Sequence, residues 1–175
     1  MGIAASEFDE AYEDVEVEED AEKLCCAIMT QPIRSLEIRE PVCASPETAV
    51  RGVAETMNNA RVGCVLVMEG ERLIGIFTER DILKKVVGQL DLDSPIKTIM
   101  TPSPETVGID DGIAYALNKM HIGGYRHIPV LDGQGRPVGV VSMRDIVKFI
   151  VSLFPAAVLN VPPEPGLTAR GLHGG

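Results

Sequence analysis

The sequence predicts an α+β fold in which two tandem β-α-β-β-α repeats pack as one pseudo-symmetric module. The first reason is internal self-similarity, the mark of a repeated structural unit. At an offset of 63, Met57 aligns with Met120, Val67 with Val130, and Glu69-Gly70 with Asp132-Gly133; one extra residue in the second turn then brings Gly75 onto Gly139. The second reason is the order of periodicities, since each copy passes from helical spacing to two short apolar runs and back to helical spacing. Size is the third. A unit of about sixty residues buries too little surface to stand alone, so the two copies are expected to pack sheet against sheet.

Residues 1–22 read as an acidic, disordered tail, and 23–32 as a short helix leading into the body. The first repeat is placed at 33–93. Ser45-Pro46-Glu47 reads as a helix start, with serine as N-cap and proline at the first helical position. Val50, Val53, Ala54 and Met57 then recur at i, i+3, i+4 and i+7, which makes one apolar face. "CVLVM" (Cys64 to Met68) and "LIGIF" (Leu73 to Phe77) flank Glu69-Gly70 as a hairpin. A second helix is expected after Thr78, with Ile82, Leu83, Val86 and Val87 facing inward. The second repeat, 94–154, keeps the same order. Ile113, Leu117 and Met120 line its first helix, "HIPVL" and "PVGVV" form a hairpin across "DGQG", and Ile146, Val147 and Ile150 line its last helix. Residues 155–175 form a Pro/Gly-rich arm that cannot continue the helix.

The 175-residue chain has no Trp and is 4% aromatic, so its core must be aliphatic. No apolar run approaches the roughly 18 to 20 residues that cross a bilayer, and no basic flank precedes an apolar stretch at the start. A cytoplasmic protein without a membrane partner is expected. Cys25, Cys26, Cys43 and Cys64 lack paired C-x-x-C spacing and read as reduced structural thiols, with no metal site. Residues 1–22 carry ten carboxylates and no Lys or Arg, which accounts for the whole net charge of −10. The body is therefore near neutral, and nucleic acid is not an expected partner. "MGIAAS" fits the N-myristoylation pattern at Gly2, but the acidic run behind it is unsuited to a membrane surface. No nucleophile–base motif, phosphate-cradling loop with Lys, or H-E-x-x-H occurs, so no catalytic residue is assigned and the chain reads as no enzyme.

One pattern is spelled twice, as "GIFTERDILKK" from Gly75 and as "GVVSMRDIVKF" from Gly139. Thr78-x-x-Asp81 and Ser142-x-x-Asp145 both fit the capping box, in which side chains satisfy orphan N–H groups at a helix start. Each also follows a strand, where the free N–H groups of a helix end suit a phosphate or sugar oxygens. An aspartate there can accept hydrogen bonds from a ribose diol. Either both copies cap a helix or both hold a ligand.

The stretch "RHIPVLDGQGRPVGVVSMRDI" (Arg126 to Ile146) and its partner "CVLVMEGERLIGIFTERDI" (Cys64 to Ile82) resemble the two repeats of a CBS-domain pair, or Bateman module, over about 33 to 154. The resemblance implies binding of an adenosine-containing ligand such as AMP, ADP, ATP or S-adenosylmethionine. It places Asp81 and Asp145 at the ribose, Thr78 and Ser142 beside it, and the adenine edge near Cys43-Ala44 and Thr106-Val107. Arg126 and His127, ahead of the "IPV" strand, are then expected at the phosphates; the matching positions of the first copy are Gly63 and Cys64. Arg80 and Arg144, inside the motifs, supply further charge or are solvated helix residues. The lone His121 reads as surface.

The expected function is thus a stand-alone regulatory module without a cofactor. It takes AMP, ADP or ATP as regulatory ligand, forms a homodimer and signals to a partner in trans. The alternatives are a scaffold with vestigial sites and an S-adenosylmethionine sensor. On this reading Asp145, sharing a copy with Arg126 and His127, is expected to matter more for affinity than Asp81.

Overall fold

The computed structural model describes residues 28–86 and 91–153. The acidic tail, most of the expected lead-in helix, the C-terminal arm, Val87 and the side chain of Val86 lie outside what is described.

In the first repeat a short strand β1 (Cys43–Ala44) precedes helix α1 (Val50–Ala60) and the hairpin β2 (Cys64–Glu69) and β3 (Arg72–Thr78). Helix α2 is α-helical over Glu79–Asp81 and continues as a π-turn over Ile82–Val86. A bridging strand β4 (Thr101–Pro102) leads to the second repeat, which holds β5 (Val107–Gly108), α3 (Ile113–Gly123), the hairpin β6 (His127–Leu131) and β7 (Pro137–Ser142), and α4 (Met143–Leu153). The sheets run β1-β2-β3-β4 and β5-β6-β7. In both, the short first strand is parallel to its neighbour and the hairpin antiparallel. The tandem α+β arrangement is the one the sequence predicts. Among the described residues no helix is long and apolar enough to cross a membrane.

The apolar faces are nearly those read from the spacing. Val50, Val53 and Met57 are buried on α1, and Ile113, Ala116 and Met120 on α3. Leu83 and Val147 are the exceptions: both expected to face inward, they are 72% and 51% exposed. The two stand at matching positions of the repeats, one residue past the core-facing Ile82 and Ile146, so the outward turn belongs to the repeat and not to the π-turn of α2.

Helix α1 also starts later than expected, at Val50 rather than at Pro46. Ser45 to Thr48 close a turn, with the Thr48 N–H donating to the Ser45 carbonyl at 3.0 Å. The carbonyls of Pro46 and Thr48 accept instead from Lys97 and Ile96, at 3.1 and 2.9 Å.

Those bonds belong to an exchange between repeats. The 3₁₀ turn Ile96–Thr98, which leads into the second repeat, buries Ile96 and Ile99 in the core of the first. The turn Ile33–Ser35, which leads into the first repeat, buries Ile33 and Leu36 in the core of the second. The two turns make matching contacts at an offset of 63: Ile33 N–H donates to the Asp111 carbonyl and Ile96 N–H to that of Thr48. Arg34 pairs with Asp110, and Lys97 with Glu47 at 2.6 Å. Between the sheets, Leu66 and Ile76 of the first meet Val140 of the second.

Candidate ligand-binding cleft

Both repeated motifs cap their own helices. Asp81 Oδ2 accepts from the Thr78 N–H at 3.0 Å and from its hydroxyl at 2.7 Å. In the second copy Asp145 Oδ2 accepts from the Ser142 N–H at 2.9 Å and hydroxyl at 2.6 Å, and the Asp145 N–H donates back to Ser142 Oγ at 3.3 Å. An ionised carboxylate has about four acceptor positions, so two cap bonds to one oxygen do not saturate it. Capping and ligand binding are compatible uses of the same side chain.

The repeated glycine ahead of each motif has a packing reason. A Cβ on Gly75 would overlap the Met100 side chain, and one on Gly139 would overlap Ile38, with the Arg39 carbonyl 3.0 Å away. In each case the segment crossing the glycine is the lead-in of the other repeat. The same segments add to the sheet edges: β4 pairs with β3, and Arg39 bridges to Val140.

Around the first motif lies a cleft of about 380 Å³. One wall is Thr78, Glu79, Arg80 and Asp81 from the first repeat. Facing it are Gly123, Gly124, Tyr125, Arg126 and His127, from the end of α3 into β6. Thr101, Ser103, Pro104 and Glu105 close a third side, with Ile76 and Gly63 completing the lining. Arg80 ties the first two walls together, its Nη1 donating to the Gly124 carbonyl at 2.9 Å. Ser103 adopts a left-handed conformation, φ 46°, within the third wall, a strained state for a residue with a side chain.

His127 stands where the two motifs approach each other. It pairs with Ser142 across the second hairpin, and its ring closes on Gly63, where a Cβ would lie 3.0 Å from Nε2. Burial first, and then the charge of Arg126, hold its pKa below the usual histidine value, with Arg144 acting in the same sense and Glu79 and Asp145 opposing. Its counterpart Cys64 is pushed up to about 12 by burial and by the same two carboxylates. That thiol is inert at neutral pH. Cys43 and Cys64 are both free.

The expected site residues therefore separate into groups. Thr78, Asp81, Arg80, Arg126 and His127 share the cleft. Arg126 and His127 face the Thr78–Asp81 motif of the other repeat, because the loop between α3 and β6 reaches across the module. Ser142, Asp145 and Arg144 stand at the start of α4, outside the lining. Cys43, Ala44, Thr106 and Val107 do not line this cleft. Cys43 and Ala44 pair with Leu66 and Val67, and Val107 is 2% exposed in the second core. Besides Glu79 inside the motif, sequence reasoning missed Thr101, Ser103, Pro104, Glu105 and Tyr125. Tyr125 adjoins Arg126 and was within reach; residues 101–105 carry no local signal, since their place follows from the exchange of lead-in segments. His121 is exposed, as expected. No cluster of three or more His, Cys, Asp or Glu able to hold a metal occurs among the described residues.

Comparison with known proteins extends over both repeats. An uncharacterized 17.7 kDa protein of Acidianus ambivalens is 29% identical over 126 residues, 71% of this chain and 76% of its own length. A CBS domain-containing protein of Arabidopsis thaliana is 38% identical over 110 residues, 62% of this chain, and the chain spans 20% of that relative. The solved CBS domain protein of Pyrobaculum aerophilum complexed with AMP superimposes with a TM-score of 0.62 at 32% identity, covering 69% of this chain and 98% of that one. The sequence profile of the CBS domain matches residues 28–88 and 96–152, and with both repeats accounted for, the chain belongs to the CBS-domain family.

Proposed function

We propose that this CBS pair is a regulatory module that binds an adenine nucleotide in the cleft between residues 78–81 and 123–127. One observation carries the reading: the cleft joins the Thr78–Asp81 motif of one repeat to Arg126 and His127 of the other. The Asp81 carboxylate, oriented by its cap, would accept the ribose hydroxyls. Arg126 is exposed and in no ion pair among the described residues, and its planar fork suits a phosphate. Ile76, Pro104 and Tyr125 offer apolar surface for a base. The AMP complex of the Pyrobaculum relative supports the same ligand class.

A nucleotide held by both repeats would bias how they sit together, and that bias is the means by which occupancy would reach a partner protein. The module itself performs no chemistry on this reading. Isothermal titration of the full chain with AMP tests it. Saturable binding with a rise in melting temperature is expected, whereas no heat and no stabilisation at millimolar AMP would contradict it.

A further inference from the structure

The charges around the cleft restrict how many phosphates its ligand can carry. Glu79, Asp81 and Glu105 line it as acids, and Arg80 and Arg126 as cations, while burial keeps His127 on the neutral side. Glu105 is met by Lys119, whose Nζ lies 2.5 Å from its Oε2 and 5.2 Å from the centre of the Tyr115 ring. Glu79, by contrast, is in no ion pair among the described residues. Arg80 already donates to the Gly124 carbonyl, which leaves Arg126 as the guanidinium best placed for a phosphate.

Two of the acids are peculiar to this cleft. By the repeat alignment, Glu79 corresponds to Met143 and Glu105 to Val42. Val42 is partly buried against the first core. Neither acid is therefore required by the repeat as such: the other copy builds the same turn and strand without it. Glu79 follows the capping Thr78 directly, and the space a Gly63 Cβ would fill lies 3.8 Å from its Oε2 and 3.0 Å from His127 Nε2. A phosphate chain growing past Arg126 would enter a space flanked by this carboxylate.

We infer that the cleft selects an adenosine ligand with a single phosphate over di- and triphosphates, and that Glu79 and Glu105 reject the longer chains. The inference rests on the nucleotide reading above. One phosphate can be met by Arg126; each further phosphate adds charge that finds Glu79 and Glu105 instead. Both acids are exposed, so salt screens the repulsion and the discrimination is expected to be strongest at low ionic strength.

The test is isothermal titration of the full chain with magnesium-free AMP, ADP and ATP, on the natural protein, Glu79→Gln, and Glu79→Gln with Glu105→Gln. The expected order is AMP, then ADP, then ATP, with AMP at least about tenfold tighter than ATP. The glutamine variants are expected to narrow that gap several-fold, with ATP gaining more affinity than AMP. ATP binding as tightly as AMP, or a gap unmoved in both variants, overturns the inference and leaves the nucleotide reading standing. If none of the three binds, the nucleotide reading falls and takes this inference with it.

Discussion

Gly75 and Gly139 are the first residues of the pattern spelled twice, yet what they meet is protein: Met100 in one case, Ile38 and the Arg39 carbonyl in the other. Met100 is flexible and can move aside, whereas the Arg39 carbonyl is backbone. Gly139→Ala is therefore expected to cost more stability than Gly75→Ala, on the order of 1 to 3 kcal/mol for such overpacking, as read by chemical denaturation. Equal losses would contradict this account of the glycines. His127 gives a second test at this scale. Its folded-state pKa lies below the ordinary 6.5, so the unfolded chain takes up the proton first as pH falls. Stability is then fully present above about 6.5 and is lost as pH drops through that value towards the folded pKa. Calorimetry across pH 7.5 to 5.5 is expected to show a flatter decline in Tm for His127→Gln than for the natural protein; parallel curves would argue against it. The motif residues themselves were legible as caps or as ligand contacts. What the sequence left open is that one carboxylate oxygen serves the cap and leaves capacity for more.

Elements were legible where spacing and burial agree, and less so where a neighbour intervenes. Both hairpins and the apolar faces of α1 and α3 follow from local pattern. The start of α1 does not, because the carbonyls of Pro46 and Thr48 are taken by a turn some fifty residues away. On the last helix of each repeat, Ile146 is fully buried and unavailable as a dimer face, whereas Leu83 and Val147, at matching positions, are 72% and 51% exposed. These are the residues on which the expected homodimer now rests. Sedimentation equilibrium is expected to find a dimer at micromolar concentration and a monomer for Leu83→Asp with Val147→Asp. A monomeric natural protein would remove the dimer from the account.

The whole molecule is two repeats that each complete the other's core. Ile33 and Ile96 are fully buried, each in the repeat that follows or precedes its own in sequence. Ile96→Ala is expected to cost about 2 to 5 kcal/mol. Circular dichroism should find a fragment of residues 40–102, which keeps Ile96 and Ile99, more helical than one of 33–93; the reverse order would contradict the exchange. This interlock also explains why the cleft was only half legible. The ribose and phosphate residues have local signatures, but which of them face each other is set by how the repeats cross. The sequence pairs Arg126 and His127 with Asp145, whose charge His127 feels in the fold, and the fold adds Asp81 to the same two residues in one cleft. The most direct measurement is therefore AMP affinity by isothermal titration in Asp81→Ala and in Asp145→Ala. A charge-assisted bond to a buried ribose contributes about 1.5 to 3 kcal/mol, so Asp81→Ala is predicted to weaken AMP roughly ten- to a hundredfold, with Asp145→Ala much closer to the natural protein. A larger loss for Asp145→Ala, or equal losses, would contradict the placement of the ligand in this cleft.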